Sequence, residues 1–255
     1  MAERIRNAGV SLRLIAFEDE TAESLYQSFP GNERVRIKVG QLGKMLKALK
    51  SMNTRYTVMA GQITPRRLFK GLHPDLKALA LLNSLREKNA ETIFGAIARE
   101  INTCGIDMLD ARIFMDEDLA GEGILCGKFS KKFEPWLQHG IRTASGVARL
   151  DVGQGVVVRK GTVLAVEAFE GTDAMLERAG RFKTRDALFV KTVKPGQDYR
   201  FDVPVFGSKT LETLVSAKIR NVALAADSVI LLEKTGLITE AIRQGVNIIG
   251  FPAPS

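Results

Sequence analysis

Two apolar segments joined by a two-residue break narrow the architecture more than any other part of this chain. Residues 155–169 read GVVVRKGTVLAVEAF. The runs on either side of Lys160-Gly161 are strand-like, and glycine takes a positive φ at no steric cost, so the spacing predicts a tight hairpin. The second strand then meets acids: Glu167, Glu170 and Asp173 fall within seven positions, with Gly171 and Thr172 among them. A strand that only had to stop needs one Gly or Asn. This ending points instead to a metal site or to phosphate chemistry.

The segments around the hairpin alternate in period. Residues 10–17, 34–40, 56–63 and 106–115 read as strands, while 42–52, 74–88 and 90–105 carry apolar positions at helical spacing. Such alternation predicts an α/β unit with a largely parallel sheet. From 116 to 149 the pattern dissolves into Gly, Lys and short apolar patches, which reads as a crossing between domains with a helix near 133–148. Beyond it come strands at 187–193 and 199–207, a helix at 208–219, a hairpin expected about Asp227-Ser228, a last helix and a closing strand. The expected boundaries are an N-terminal domain over 1–120, a linker region over 121–148 and a C-terminal catalytic domain over 149–255.

Composition removes several classes. With 255 residues, 45% hydrophobic and 26% charged, the chain can bury a sizeable core. No apolar run approaches the ~20 residues of a membrane span, and the N-terminal ten residues lack the apolar core of a signal peptide. Cys104 and Cys126 have no metal-ligand spacing and read as buried thiols in a reducing compartment. The net charge of +8 favours anionic partners. No run of five basic residues occurs, and one Trp and three Tyr offer little stacking surface, so nucleic acid is not the expected partner. An anionic membrane surface or a phosphorylated substrate accounts for the charge. A homodimer is left open.

Alternation along an extended strand puts Glu167 on the face of Ala165 and Phe169, and Glu170 on the face of Val166 and Ala168. Gly171 breaks the strand, Thr172 is the expected N-cap of a helix at 173–179, and Gly180 its stop. Phosphate on the amides of 171–173 with Mg²⁺ on Glu167, Glu170 or Asp173 is chemically sensible. The plainer alternative makes Asp173 and Glu177 complements of a helix dipole and Glu170 a solvated strand end. Upstream, Gly153, Gln154 and Gly155 allow close backbone approach to a ligand, though a bulge or turn explains the glycines as well. Downstream come Lys194, Arg200 and Asp202, the last expected within an apolar strand. Arg159, Lys191 and Arg200 are candidates to stabilise phosphoryl charge, and Gly61, Arg66 and Arg67 follow a strand whose carboxyl end suits a ligand. His73 and His139 read as surface or capping residues. No nucleophile elbow, P-loop or G-x-G-x-x-G fingerprint occurs.

The blocks LDVGQGVVVRKGTVLAVEAFEGTDAML and VKPGQDYRFDVPVFG resemble the UDP-2,3-diacylglucosamine pyrophosphatases of lipid A synthesis, of the type unrelated to calcineurin-like metallophosphoesterases. The similarity extends through VGQLGKMLKAL and VMAGQI and covers nearly the whole chain. It implies a Rossmann-like N-terminal domain, a distinct C-terminal domain, and substrate in the cleft between them. It implies Mg²⁺-dependent hydrolysis of UDP-2,3-diacylglucosamine to UMP and 2,3-diacylglucosamine 1-phosphate, with water attacking the phosphorus nearer the sugar. Asp202 falls on the R-x-D-x-P motif, an essential carboxylate as ligand or base. Glu167, Glu170, Thr172 and Asp173 fall on the E-x-x-E-G-T-D block, so the implied metal set is Glu167, Glu170, Asp173 and Asp202. Gly61, Gly153, Gln154, Gly155, Arg159, Gly171, Thr172, Lys191 and Arg200 are the implied substrate contacts. The family opens with a strand and Gly-rich loop, whereas Met1 here enters within the following helix, so the first strand is expected to be absent. Paired aspartates of many members are replaced by Ala90-Glu91. The implied location is cytoplasmic and peripheral at the inner membrane. A relative that binds a nucleotide sugar or lipid phosphate without turnover is the alternative reading.

Overall fold

The computed structural model describes residues 1–61, 63 and 73–253, and the chain forms two compact units. The first comprises the residues up to Phe114 together with Tyr199–Asp202. The second comprises Met115–Asp198 and the chain from Val203 onward. Both are α/β.

In the first unit β1 (Leu14–Phe17) lies parallel to β2 (Arg34–Ile37), and β3 (Tyr56–Thr57) lies parallel to β4 (Asp107–Met108). The Leu42–Ser51 helix buries Leu42, Met45, Leu46 and Leu49, the i, i+3, i+4, i+7 stripe of an amphipathic helix. Asp75 does two jobs: its carboxylate accepts from the Ala78 amide, capping the Leu76–Ser84 helix, and from the Gly43 amide of the neighbouring helix (2.9 and 2.7 Å). The strand expected over 106–115 shrinks to Asp107–Met108. The Asp110 carboxylate accepts from the Arg112 amide (2.8 Å) and turns the chain away from the ladder. Among the described residues of 56–63, only Tyr56–Thr57 is paired in a strand. Arg66 and Arg67 lie outside the described residues.

The second unit is built on a mixed six-stranded sheet. Its strands are β5 (Gly123–Cys126), β6 (Gly155–Arg159), β7 (Thr162–Val166), β8 (Leu188–Lys191), β10 (Asn221–Ala225) and β12 (Asn247–Phe251), in the order β5-β12-β10-β8-β6-β7. The pairs β8–β10 and β10–β12 are parallel, and β5, β6 and β7 run antiparallel to their neighbours. A separate parallel pair joins β9 (Val205–Phe206) to β11 (Ile230–Leu231). The expected β6–β7 hairpin is present, with Lys160 (φ 49°) and Gly161 (φ 82°) both left-handed, as a primed turn requires. The hairpin expected about Asp227-Ser228 is not formed. Strand β10 already has β8 on one side and β12 on the other, so the segment after it pairs with β9 instead.

Residues 121–148, expected to be a linker, are part of this unit. They supply the edge strand β5 and most of the Glu134–Arg149 helix, which packs on β6 and β8. A Cβ on Gly140 would come within 2.6 Å of Val190, so the helix sits on the sheet at a distance only glycine permits. Beneath it Val156, Val158, Leu188 and Val190 are fully buried, and Val157 and Phe189 are fully buried on the opposite face. The helix expected near 133–148 is present, and its buried face is made of Leu137, Gly140, Ala144 and Ala148, mostly small residues. Cys126 is buried, which pushes its thiol pKa up, and neither cysteine is disulfide-bonded. Among the described residues no helix is long and apolar enough to cross a membrane.

Candidate functional site

Strand β7 ends at Val166, but the Glu167 amide still donates to the Gly155 carbonyl (2.8 Å), so Glu167 is anchored one residue past the strand. Its side chain is held inward by close glycine packing. A Cβ on Gly153 would lie 2.2 Å from the Glu167 carbonyl oxygen, and one on Gly155 would lie 2.6 Å from Glu167 Oε2. The two glycines therefore make room for Glu167.

Gly171 (φ 81°) then swings the chain into the Thr172–Ala179 helix and occupies the N-cap position expected of Thr172. With glycine in the cap, Thr172 becomes the first helical residue and its hydroxyl is free to reach back, donating to Glu167 Oε1 (2.6 Å). At the end of β8, Lys191 Nζ donates to Thr172 Oγ1 (2.8 Å) and stands 3.9 Å from Glu167 Oε2. The Glu167 and Lys191 side chains are only 12% and 9% exposed. No hydrogen-bond donor among the described residues reaches Glu167 Oε2. A buried carboxylate oxygen without a donor is costly to maintain, and its cation partner among the described residues is Lys191.

Gln154 and Gln197 clamp the neighbouring loops. Gln154 Nε2 donates to Gln197 Oε1 (3.0 Å), which also accepts from the Lys194 amide (3.2 Å), while the Thr192 amide donates to the Gln154 carbonyl (2.9 Å). Lys194 Nζ pairs with Asp151 (3.2 Å). Thus the D-V-G-Q-G and K-P-G-Q-D segments brace each other and fix the position of Lys191. Gln197 was not singled out by sequence reasoning; its place in the same G-Q pair as Gln154 is the signal that could have found it.

The remaining acids turn to cations of their own. Glu170 pairs with Arg178 (2.6 Å), which also donates to the Val166 carbonyl (2.8 Å). The Arg178 hydrogen bond holds the Glu170 carboxyl below its ordinary range. Asp173 accepts from the Thr210 hydroxyl (2.9 Å) and pairs with Lys209 (3.1 Å). Among the described residues no group of three or more His, Cys, Asp and Glu side chains is placed to hold a metal ion. A multi-carboxylate cage therefore does not fit the described residues. One carboxylate joined by substrate phosphates and water is an ordinary Mg²⁺ ligand set, and the unfilled Glu167 Oε2 fits that smaller part.

Other expected site residues lie elsewhere. Arg159 donates to the Arg185 carbonyl (2.8 Å) just before β8, at the opposite end of that strand from Lys191. Arg200 and Asp202 sit on the short turn that belongs with the first unit, outside any strand. There the Ala111 amide donates to the Tyr199 carbonyl (2.8 Å), Arg112 stacks 3.5 Å from the Tyr199 ring centroid, and Phe94 and Phe201 stack at 5.9 Å. Pro204 and these contacts end the strand expected through Asp202 and leave only β9. Gly61 has φ 92°. His139 lies within the Glu134–Arg149 helix, and the exposed His73 donates its amide to Val39 (3.3 Å).

Comparison with known proteins divides the chain in nearly the same place as its fold. The LpxI N-terminal domain matches residues 1–118 and the LpxI C-terminal domain matches residues 121–249. The UDP-2,3-diacylglucosamine pyrophosphatase LpxI of Caulobacter vibrioides is 31% identical over 252 residues, covering 94% of this chain and 87% of that protein. With both domain matches in order and this relative aligned nearly end to end, the chain belongs to the LpxI family.

Proposed function

We propose that this protein hydrolyses the diphosphate of UDP-2,3-diacylglucosamine to UMP and 2,3-diacylglucosamine 1-phosphate, in lipid A biosynthesis. The observation that carries the reading is the buried Glu167–Thr172–Lys191 constellation. Glu167 and Thr172 belong to the first block that resembles the pyrophosphatases and Lys191 stands two residues before the second, in a chain of the LpxI family. Lys191 supplies a fixed positive charge for a phosphoryl oxygen, in a largely buried setting where charges act strongly. Thr172 holds Lys191 and Glu167 in register, and the Gln154–Gln197 clamp limits their movement. Glu167, through its free oxygen, contributes a carboxylate to Mg²⁺ arriving with the diphosphate. When bound, the ion withdraws electron density from phosphoryl oxygens and neutralises developing charge. Asp202, on the R-x-D-x-P motif, is proposed as an essential carboxylate, with Arg200 beside it in sequence. The first unit is proposed to be Rossmann-like, and the protein to work in the cytoplasm at the inner-membrane surface.

The test is UMP release from UDP-2,3-diacylglucosamine with Mg²⁺, with EDTA, and with Asp202→Ala. Metal-dependent release that falls at least ~100-fold in the variant supports the reading. A folded wild-type protein that binds the substrate and releases no UMP overturns it in favour of a binding relative without turnover.

A further inference from the structure

We propose that the second unit carries another binding site, for a phosphate-bearing anion, in a basic concavity at the amino-terminal ends of β8, β10 and β12. This goes beyond the hydrolytic reading and does not depend on it. The concavity is about 1030 Å³ and is lined by Lys128, Lys132, Lys183, Arg185, Lys218 and Arg220, with Asp186 the one carboxylate among its lining residues. It lies at the opposite end of β8 from Lys191, since Asp186 precedes the strand and Lys191 ends it.

Six cations crowded around one hollow repel one another, and the one acid among them offsets only part of that repulsion. Asp186 is already paired with Lys132 (3.0 Å). That bond, with the added fields of Arg185 and Lys160, holds the Asp186 carboxyl below its ordinary range. Lys128, Lys183, Arg185 and Lys218 are exposed and have no carboxylate partner among the described residues. An anion inserted among them is attracted by all four at once.

The floor is a fixed hydrogen-bonded layer. Asn247 accepts from the Lys128 amide (2.9 Å) and donates to Asn221 (3.1 Å), which donates to the Ala187 carbonyl (3.2 Å). Thr184 donates to the Ala217 carbonyl (2.7 Å), tying the loop bearing Lys183 to the loop bearing Lys218. Gly127 (φ 74°) lets the Lys128 loop lie against Asn247, where a Cβ would come within 2.2 Å of the amide oxygen. Three cation-bearing loops are thus pinned before any ligand arrives, which lowers the entropy lost on binding. Phe182, 54% exposed at the edge of the hollow, adds an apolar surface beside the charges. The chemistry suits a phosphate group, whether free or carried by a lipid headgroup.

Backbone amide shifts of the full-length protein separate these sources when followed during two titrations without divalent metal. One uses inorganic pyrophosphate. The other uses phosphatidylcholine vesicles with and without phosphatidylglycerol, with flotation as a parallel readout. Shifts at Lys128, Lys183, Asn221 and Asn247 on adding pyrophosphate identify a free-phosphate site. Partition to phosphatidylglycerol vesicles alone identifies a headgroup site. Either response should weaken about 25-fold in Lys128→Gln/Lys183→Gln, about fivefold for each lysine removed, and should fall further with salt. UMP release should be unchanged in that variant, which keeps this site separate from the hydrolytic one. Absence of both responses, or responses equal in wild type and variant, overturns the proposal.

Discussion

Replacing Lys191 with Met removes a charge and keeps the apolar stem, and the consequence follows from the geometry around Glu167. The two charges are 3.9 Å apart with side chains only 12% and 9% exposed. At an effective dielectric of about 20 their attraction is ~4 kcal/mol. Desolvation offsets part of this in the intact pair, but Lys191→Met leaves the Glu167 carboxylate buried without its cation, and such losses run to about 3–5 kcal/mol. Thr172 also loses the ammonium that donates to its hydroxyl. Glu167→Met strands Lys191 in the same way. The double variant removes both charges and should cost less than either single one, because two apolar side chains of similar volume leave no buried charge behind. The coupling should therefore reach ~2 kcal/mol or more. Urea unfolding followed by Trp136 fluorescence measures it. Trp136 is the chain's single tryptophan and packs edge-on to Phe133 at 5.0 Å within the second unit, so its emission reports that unit. Single variants that each cost under ~1 kcal/mol and add to give the double would refute a tight buried pair.

Three further outcomes are expected. Gly153→Ala places a Cβ 2.2 Å from the Glu167 carbonyl oxygen, a backbone atom that cannot rotate away. It should destabilise the second unit by more than ~2 kcal/mol in the same urea assay. Gly161→Ala, at φ 82° in the β6–β7 turn, should cost about 1 kcal/mol by differential scanning calorimetry, with diphosphate hydrolysis retained. The Glu170 carboxyl is held low by Arg178, so their pairing stabilises the fold above the ordinary glutamate range and is lost as pH falls through the lowered value. In Arg178→Ala the carbon-13 titration midpoint of Glu170 should rise toward 4.5, and a midpoint that stays put would place the cause elsewhere.

Periodicity made the secondary elements legible where they are long and one-sided. The Leu42–Ser51 helix, the β6–β7 hairpin and the β8 strand could all be read this way. It failed where a tertiary partner decides the outcome. Strand pairing after β10 depends on which neighbours β10 already holds, and the strand expected over 106–115 stops at Met108, where Asp110 turns the chain. At the site, the sequence drew attention to Glu167 through the acids that follow the apolar hairpin, and that side chain is 12% exposed, one residue past the end of β7. It could not show that Glu170 and Asp173, so near in sequence, would each be taken by a cation many residues away. Nor could it show that Gly153 and Gly155 make room for Glu167.

The distance between Glu167 and Lys191 separates a structural role from a chemical one. At 3.9 Å the ammonium is too far from Oε2 to donate a hydrogen bond, so it supplies attraction without satisfying the oxygen. A pair built for stability would close that gap or be replaced by apolar side chains, which fill a buried site at no electrostatic cost. Here the opposite has been arranged. Two glycines clear the space around the carboxylate, a third directs Thr172 back onto it, and a two-glutamine clamp fixes the loop that follows Lys191. The constellation is held in place while no donor among the described residues reaches one acceptor, which supports the proposal that its remaining partner arrives with the substrate.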